Sequence, residues 1–153
     1  MAGVDAVIQV LGVRLGRETV LKGTRLFSQA TRVLVDEMQD MGVKRLIVVT
    51  GLGAGNSRGA GSFMHNYVVF PLVLQRIYDD KGAQEEMIAS SHLDWTIVRP
   101  GILTNGPASG RYHALVDAVS WRGGFISRRD VADYLVRQIA DRSCIGATPV
   151  LVR

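Results

Sequence analysis

Tyr78 and Lys81 stand three residues apart in a stretch with helical periodicity. A phenol and an ammonium can work as a proton-transfer pair, because the nearby cation favours the phenolate. The pair works best at four-residue spacing, and the residue four before Lys81 is Ile77. A spacing of three is expected to set the phenol off the lysine's line, so Tyr78 reads as a packing residue. Lys81 alone keeps the chemistry of a point charge for a phosphate or a sugar hydroxyl. The string Gly51-Leu52-Gly53-Ala54-Gly55 resembles a phosphate-cradling loop. A G-x-G-x-x-G loop needs its third glycine at 56 or 58, where Asn56 and Arg58 stand, and no helical pattern opens directly behind it. Ser90 and Ser91 adjoin His92, but no acid is placed to orient that histidine. Asp36, Glu37 and Asp40 read as a solvated helix face, as do Glu85 and Glu86.

These groups must be held by regular elements, and four apolar runs read as strands: 6–11, 45–50, 95–99 and 150–152. The first two are nearly continuous in apolar residues, which marks strands covered on both faces. Three helical patterns lie between them. Leu26, Phe27, Ala30, Val33, Leu34, Met38 and Met41 fall on one stripe, and Gly42 stands where a C-terminal cap belongs. A second pattern runs from about Pro71 to Ser91 with Gly82 inside it, either one helix with a weak point or two. The third is announced by Ser127 and Asp130 in a capping-box arrangement, followed by Val131, Leu135 and Ile139. Residues 51–64 and 104–124 fit no regular element. Long loops of that kind in a compact domain are usually functional or mobile. The alternation predicts an α/β fold, a parallel sheet in sequential order with helices on both faces, in one domain over 1–153.

In such a sheet ligands bind beyond the carboxyl ends of the strands. The residues there are Leu11, Gly12 and Val13; Thr50, Gly51 and Leu52; and Pro100, Gly101 and Ile102. Each set holds a glycine, which lets backbone approach a flat ligand closely.

Composition narrows the classes. The chain has 153 residues, 47% hydrophobic and 21% charged, which excludes a disordered polymer. The formal net charge is +4, but the basic residues are scattered, so no nucleic-acid partner is expected. Cys144 is the sole cysteine, and His65, His92 and His113 have no metal-ligand spacing, so no metal site is expected. The longest apolar run, 67–74, is broken by Pro71 and is far short of a membrane helix. These features suit a cytoplasmic protein with no membrane partner.

The strings 4–8, 42–50, 91–101 and 127–132 resemble the atypical short-chain dehydrogenase/reductase group, specifically its NmrA-like and flavin/biliverdin-reductase-like NAD(P)-binding members. Asp94-Trp95-Thr96-Ile97-Val98-Arg99-Pro100-Gly101 is the most specific of them. The resemblance implies a Rossmann-like domain, of which this chain is similar to the C-terminal portion from strand four onward. It also implies NAD(P)H as cofactor, with contacts from Leu11, Gly12, Val13, Thr50, Gly51, Leu52, Lys81, Pro100, Gly101 and Ile102. Members of the group often carry a serine just after the fifth strand. Gly51 stands there, and Thr50 keeps a hydroxyl one residue earlier, so Thr50 and Lys81 are the candidate catalytic residues.

The implied activity of a complete form is hydride transfer to a flat small-molecule acceptor of the flavin or quinone type. The alternatives are a non-catalytic dinucleotide-binding redox sensor and an inactive truncated homologue. No glycine-rich phosphate loop is found, so this chain alone is expected to bind NAD(P)H weakly or not at all and to be inactive. The run 6–11 is expected to form an apolar sheet edge, and hence a homodimer through that edge.

Overall fold

The computed structural model describes residues 3–13, 23–57 and 69–153, with the backbone alone at 69–74. Its main sheet has five strands. Strands β1 (Ala6–Gln9), β2 (Arg45–Val49), β3 (Asp94–Pro100) and β7 (Val150–Val152) are parallel and lie in that order. These are the four expected runs, in the expected sequence. A fifth strand, β5 (His113–Leu115), pairs antiparallel with β7 and was not anticipated. Strands β4 (Ile102–Thr104) and β6 (Phe125–Ser127) form a separate parallel pair. The stretch 104–124 therefore holds more order than its glycines suggested. It also carries a short 3-10 turn, Ala118–Ser120.

Three helices cover the sheet. Helices α1 (Leu26–Asp40) and α2 (Val69–Ala89) lie on one face, and α3 (Arg128–Arg137) on the other. Successive strand residues point to opposite layers. Leu46, Val48 and Ile97 pack with Val35, Met38 and Ile88 in the first layer. Ile47, Val98 and Leu151 pack with Val131, Tyr134 and Leu135 in the second. The continuous apolar character of β2 thus reflects burial from both sides. Each fully buried large side chain contributes about 1.5–3 kcal/mol.

The helix ends follow their local signals. Gly42 adopts φ +70°, and the Val43 amide bonds the Met38 carbonyl at 2.9 Å, closing α1. Ser127 caps α3 by accepting the Asp130 amide at 3.0 Å. The Asp130 carboxylate takes the Ser127 hydroxyl rather than its amide, and also binds the Ser109 and Gly110 amides at 2.8 and 2.9 Å. Burial opposes its charge, yet these donors hold its carboxyl below the usual range. It ties the 104–111 segment to the start of α3.

Three expectations need correction. The buried stripe of α1 is Phe27, Thr31, Val35 and Met38, while Leu26, Val33 and Met41 are exposed. Thr31 enters the core because its hydroxyl finds Gln9 Oε1 at 3.0 Å, with Gln84 Nε2 joining both. Helix α2 starts at Val69, putting Pro71 in the first turn, and runs unbroken through a buried Gly82. In α3, Tyr134 joins Val131 and Leu135 on the buried face, and Ile139 lies past the helix end, partly exposed.

Candidate functional site

The site is built where β2 and β3 end under α2. Backbone pairing of the two strands continues past the last regular residue of β2, with Thr50 N on Val98 O at 3.0 Å. Thr50 is therefore fixed, and it is buried. Helix α2 reaches it twice. Lys81 Nζ donates to the Thr50 carbonyl at 2.5 Å, and the Thr50 hydroxyl donates to Glu85 Oε1 at 2.6 Å.

Glu85 is not on a solvated face. It is 5% exposed and forms a two-pronged ion pair with Arg99 of β3. Nε meets Oε1 at 3.1 Å, and Nη2 meets Oε2 at 2.6 Å. The Arg99 guanidinium carbon lies 5.1 Å from the centre of the Trp121 ring, in cation–π range. Arg99 Nη1 is buried without a hydrogen-bond partner. The sequence pattern set Glu85 on a solvated face and gave Arg99 no role beyond its strand. A glutamate four positions after a lysine, and an arginine ending a buried strand, were the available signals.

Tyr78 packs against the same strand end, its ring lying against Gly53. Its hydroxyl and Lys81 Nζ come within 3.6 and 3.8 Å of where a Cβ on Gly51 would stand. Both side chains border Gly51, since residues three and four apart share a helix face. Burial raises the Tyr78 pKa, which keeps the phenol protonated. Burial lowers the Lys81 pKa to about 8, against the opposing pull of Glu85. The ammonium also lies 5.0 Å from the centre of the Phe27 ring.

The following loop closes over the pair. The Gly53 amide donates to Ser57 Oγ at 2.9 Å, and Ser57 Oγ donates to Ala54 O at 2.6 Å. Gly55 has φ +50°, and a Cβ there would run into the Glu85 carboxylate. Its glycine is required by packing. The remainder of the 51–64 segment, from 58 onward, lies outside the described residues, as does His65.

The other expected positions fall around this centre. Thr50, Gly51, Leu52 and Lys81 are brought together, and Leu52 is buried. Pro100 ends β3 beside them, its carbonyl taking the Leu52 amide at 3.4 Å. Gly101 is glycine for another reason than ligand approach: a Cβ there would strike the Gly124 carbonyl. Ile102 starts β4 and is half-buried. Leu11 is exposed past the end of β1, and no described residue lies within 4 Å of a Cβ on Gly12, so among the described residues that edge is open, with Val13 half-buried beside it. His92 and His113 are exposed, and the Ser90 and Ser91 hydroxyls bond back to the carbonyls of Glu86 and Ile88.

A parallel sheet thus carries a lysine and a tyrosine beside Gly51, beyond the end of β2. A family model described as NAD(P)H-binding matches residues 1–142. The chain belongs to that family. A protein of Bacillus subtilis strain 168 named as an uncharacterized sugar epimerase, YhfK, is 33% identical over 102 residues, 67% of this chain and 42% of that protein. The structure of ChuY from Escherichia coli O157:H7, described as an anaerobillin reductase, superposes with a TM-score of 0.77. It is 24% identical and covers 96% of this chain, which covers 63% of it. A short-chain dehydrogenase/reductase from Veillonella parvula, solved in complex with NADP, gives a TM-score of 0.71 at 16% identity, covering 85% of this chain and 60% of its own. These two structures speak for the Rossmann-like fold. The chain spans less than two thirds of the length of each of these relatives. Among the described residues no helix is long and apolar enough to cross a membrane.

Proposed function

We propose that this chain forms the nicotinamide-side edge of an NAD(P)H-dependent reductase whose hydride acceptor is a flat molecule of the flavin or quinone type. The observation that carries the reading is the convergence of the Lys81 ammonium and the Tyr78 hydroxyl on Gly51, beyond the carboxyl end of the interior parallel strand β2. Ligands of open α/β sheets bind at that edge. Family membership and the reductase named among its structural neighbours support it.

When bound, the cofactor supplies the hydride. The chain's own residues bind, orient and exclude water. Lys81 spends one of its three N–H donors on Thr50 O, which leaves others for a sugar hydroxyl or phosphate. Gly51 and Leu52, with Pro100, Gly101 and Ile102 on the next strand, form the floor. Leu11, Gly12 and Val13 form the open side. Thr50 holds the floor in place with its hydroxyl proton committed to Glu85. That commitment favours a second reading, in which the same residues bind the dinucleotide and no turnover follows.

NADPH and NADH titrated against the emission of Trp95 and Trp121 test the proposal. The dissociation constant expected for this chain is above about 10 μM, roughly −7 kcal/mol. Lys81→Met should weaken binding about tenfold, a loss of roughly 1.4 kcal/mol. Unchanged binding in that variant would remove Lys81 from the site. Oxidation of NADPH on adding a flavin or quinone separates the reductase from the non-catalytic binder.

The outer side of β1 also supports a homodimer. Strand β1 pairs only with β2 among the described residues, and Val10 beyond it is 63% exposed. Ile8 packs partly into the core, so Val10 is the residue to charge. Val10→Lys should convert a sedimenting dimer to monomer, and a wild type that stays monomeric at high concentration would end this proposal.

A further inference from the structure

We propose that Glu85 is a positioning residue of the strand-end site, one carboxylate that fixes Thr50 and Arg99 and so sets where Lys81 presents its free donors. It goes beyond the dinucleotide reading, because it concerns the geometry of this chain with or without ligand.

The contacts form a closed ring. Glu85 Oε1 accepts from Thr50 Oγ1 at 2.6 Å, and Lys81 Nζ donates to Thr50 O at 2.5 Å. Lys81 and Glu85 are one helical turn apart on α2, so the helix grips a single strand-end residue by its hydroxyl and its carbonyl. A lysine side chain is otherwise free to rotate about several bonds. Here its terminal nitrogen is pinned at a point defined by β2. Arg99 braces the ring from β3 through both carboxylate oxygens, and Trp121 lies against the guanidinium. Gly55 leaves room for the carboxylate where any side chain would displace it.

Stability alone is a poor account of this arrangement. A buried ion pair gains little over apolar residues of the same volume, because both charges must be desolvated. Arg99 Nη1 is left without a partner as well. What the pair does deliver is a fixed direction for Thr50 and a negative charge one turn from Lys81. The titratable and charged groups around Lys81 among the described residues are Tyr78 and Glu85 on α2 and Arg99 on β3. Asp80, also on α2, turns its carboxylate to the Phe27 and Ser28 amides at the start of α1.

The test is Glu85→Gln, read by NMR titration of the Lys81 side chain in the folded chain with labelled lysine. Glutamine keeps an oxygen for the Thr50 hydroxyl and removes the charge. The wild-type midpoint is expected at about 8. The variant should titrate lower by about half a pH unit or more, since the raising influence of the carboxylate is gone. Should the single variant fail to fold with Arg99 left unpaired, Glu85→Gln combined with Arg99→Met neutralises the pair. A smaller fall is expected there, because the like charge of Arg99 is removed with the carboxylate. A folded single variant whose Lys81 midpoint stays within about 0.2 units of wild type, or a double variant whose midpoint does not fall at all, overturns the proposal, since only a carboxylate held close to the ammonium moves that midpoint. No dinucleotide enters the measurement, so unchanged NADPH binding in Lys81→Met would defeat the proposed function and leave this result standing.

Discussion

Two arginines are buried at opposite ends of the same sheet, and they are held in opposite ways. Arg45 opens β2 and is 4% exposed; Arg99 lies near the end of β3 and is 2% exposed. Arg45 meets only neutral acceptors. Its Nε and Nη2 bond Gln138 O at 3.0 and 2.6 Å, and its Nη1 bonds Asp94 O and Thr96 Oγ1 at 2.8 and 2.9 Å. Gln138 O belongs to the last turn of α3, where the helix dipole attracts a cation. Arg99 instead faces a carboxylate and an aromatic ring, with its own Nη1 unpaired among the described residues. At the Arg45 end each nitrogen is satisfied and locks α3 to the sheet. At the Arg99 end a charged nitrogen lacks a partner among the described residues, where the Arg45 end leaves only the neutral Gln138 Oε1 unpaired, and an unpaired buried charge is the costlier of the two.

The largest effect should come from breaking the charged pair. Arg99→Met leaves Glu85 buried with the Thr50 hydroxyl as its remaining donor, and uncompensated buried charges cost about 3–5 kcal/mol. Arg45→Met strands carbonyls rather than a charge, so its cost should be smaller, about 1–3 kcal/mol. Urea denaturation of both variants at neutral pH checks the order. A larger loss from Arg45→Met would mean that the neutral clamp, not the ion pair, is the more heavily used contact, and the comparison would be reversed.

The two ends also differ in how far they could be read from the sequence. Elements set by local pattern were legible: the apolar runs of β2 and β3, Gly42 after α1, Ser127 before α3. The sets flanking Gly51 and Gly101 were placed at the right sheet edge because strand ends mark that edge in any parallel sheet. What was missed depends on partners distant along the chain. Glu85 reads as a surface acid until β3 brings Arg99 against it. Thr31 reads as polar surface until Gln9 and Gln84 meet its hydroxyl. Tyr78 was set aside on spacing alone, although the backbone position of Gly51 decides which side chains converge there. Strand β5 has three residues, too few for alternation to show.

The smallest expected effect sharpens the contrast through pH. Burial lowers the folded Lys81 pKa to about 8 from an ordinary 10.5. Below pH 8 the lysine carries its proton in both folded and unfolded chains and contributes no slope. Between 8 and 10.5 the unfolded chain still binds the proton that the folded chain has released, so stability rises with pH across that window. The gain should be on the order of 1 kcal/mol after allowing for partial solvent access. Tyrosines pull the other way at higher pH. Burial raises Tyr78 and Tyr134, and burial with the Asp133 hydrogen bond pushes Tyr112 up to about 12, so above pH 10 the unfolded chain ionises first and stability falls. Subtraction isolates the lysine. Unfolding free energies measured from pH 7 to 10 should rise in wild type relative to Lys81→Met, and should keep that rise in Arg45→Met. Parallel curves for wild type and Lys81→Met would show that the ammonium is as well solvated folded as unfolded. The strand-end site would then lack the desolvated lysine that sets it apart from the Arg45 clamp.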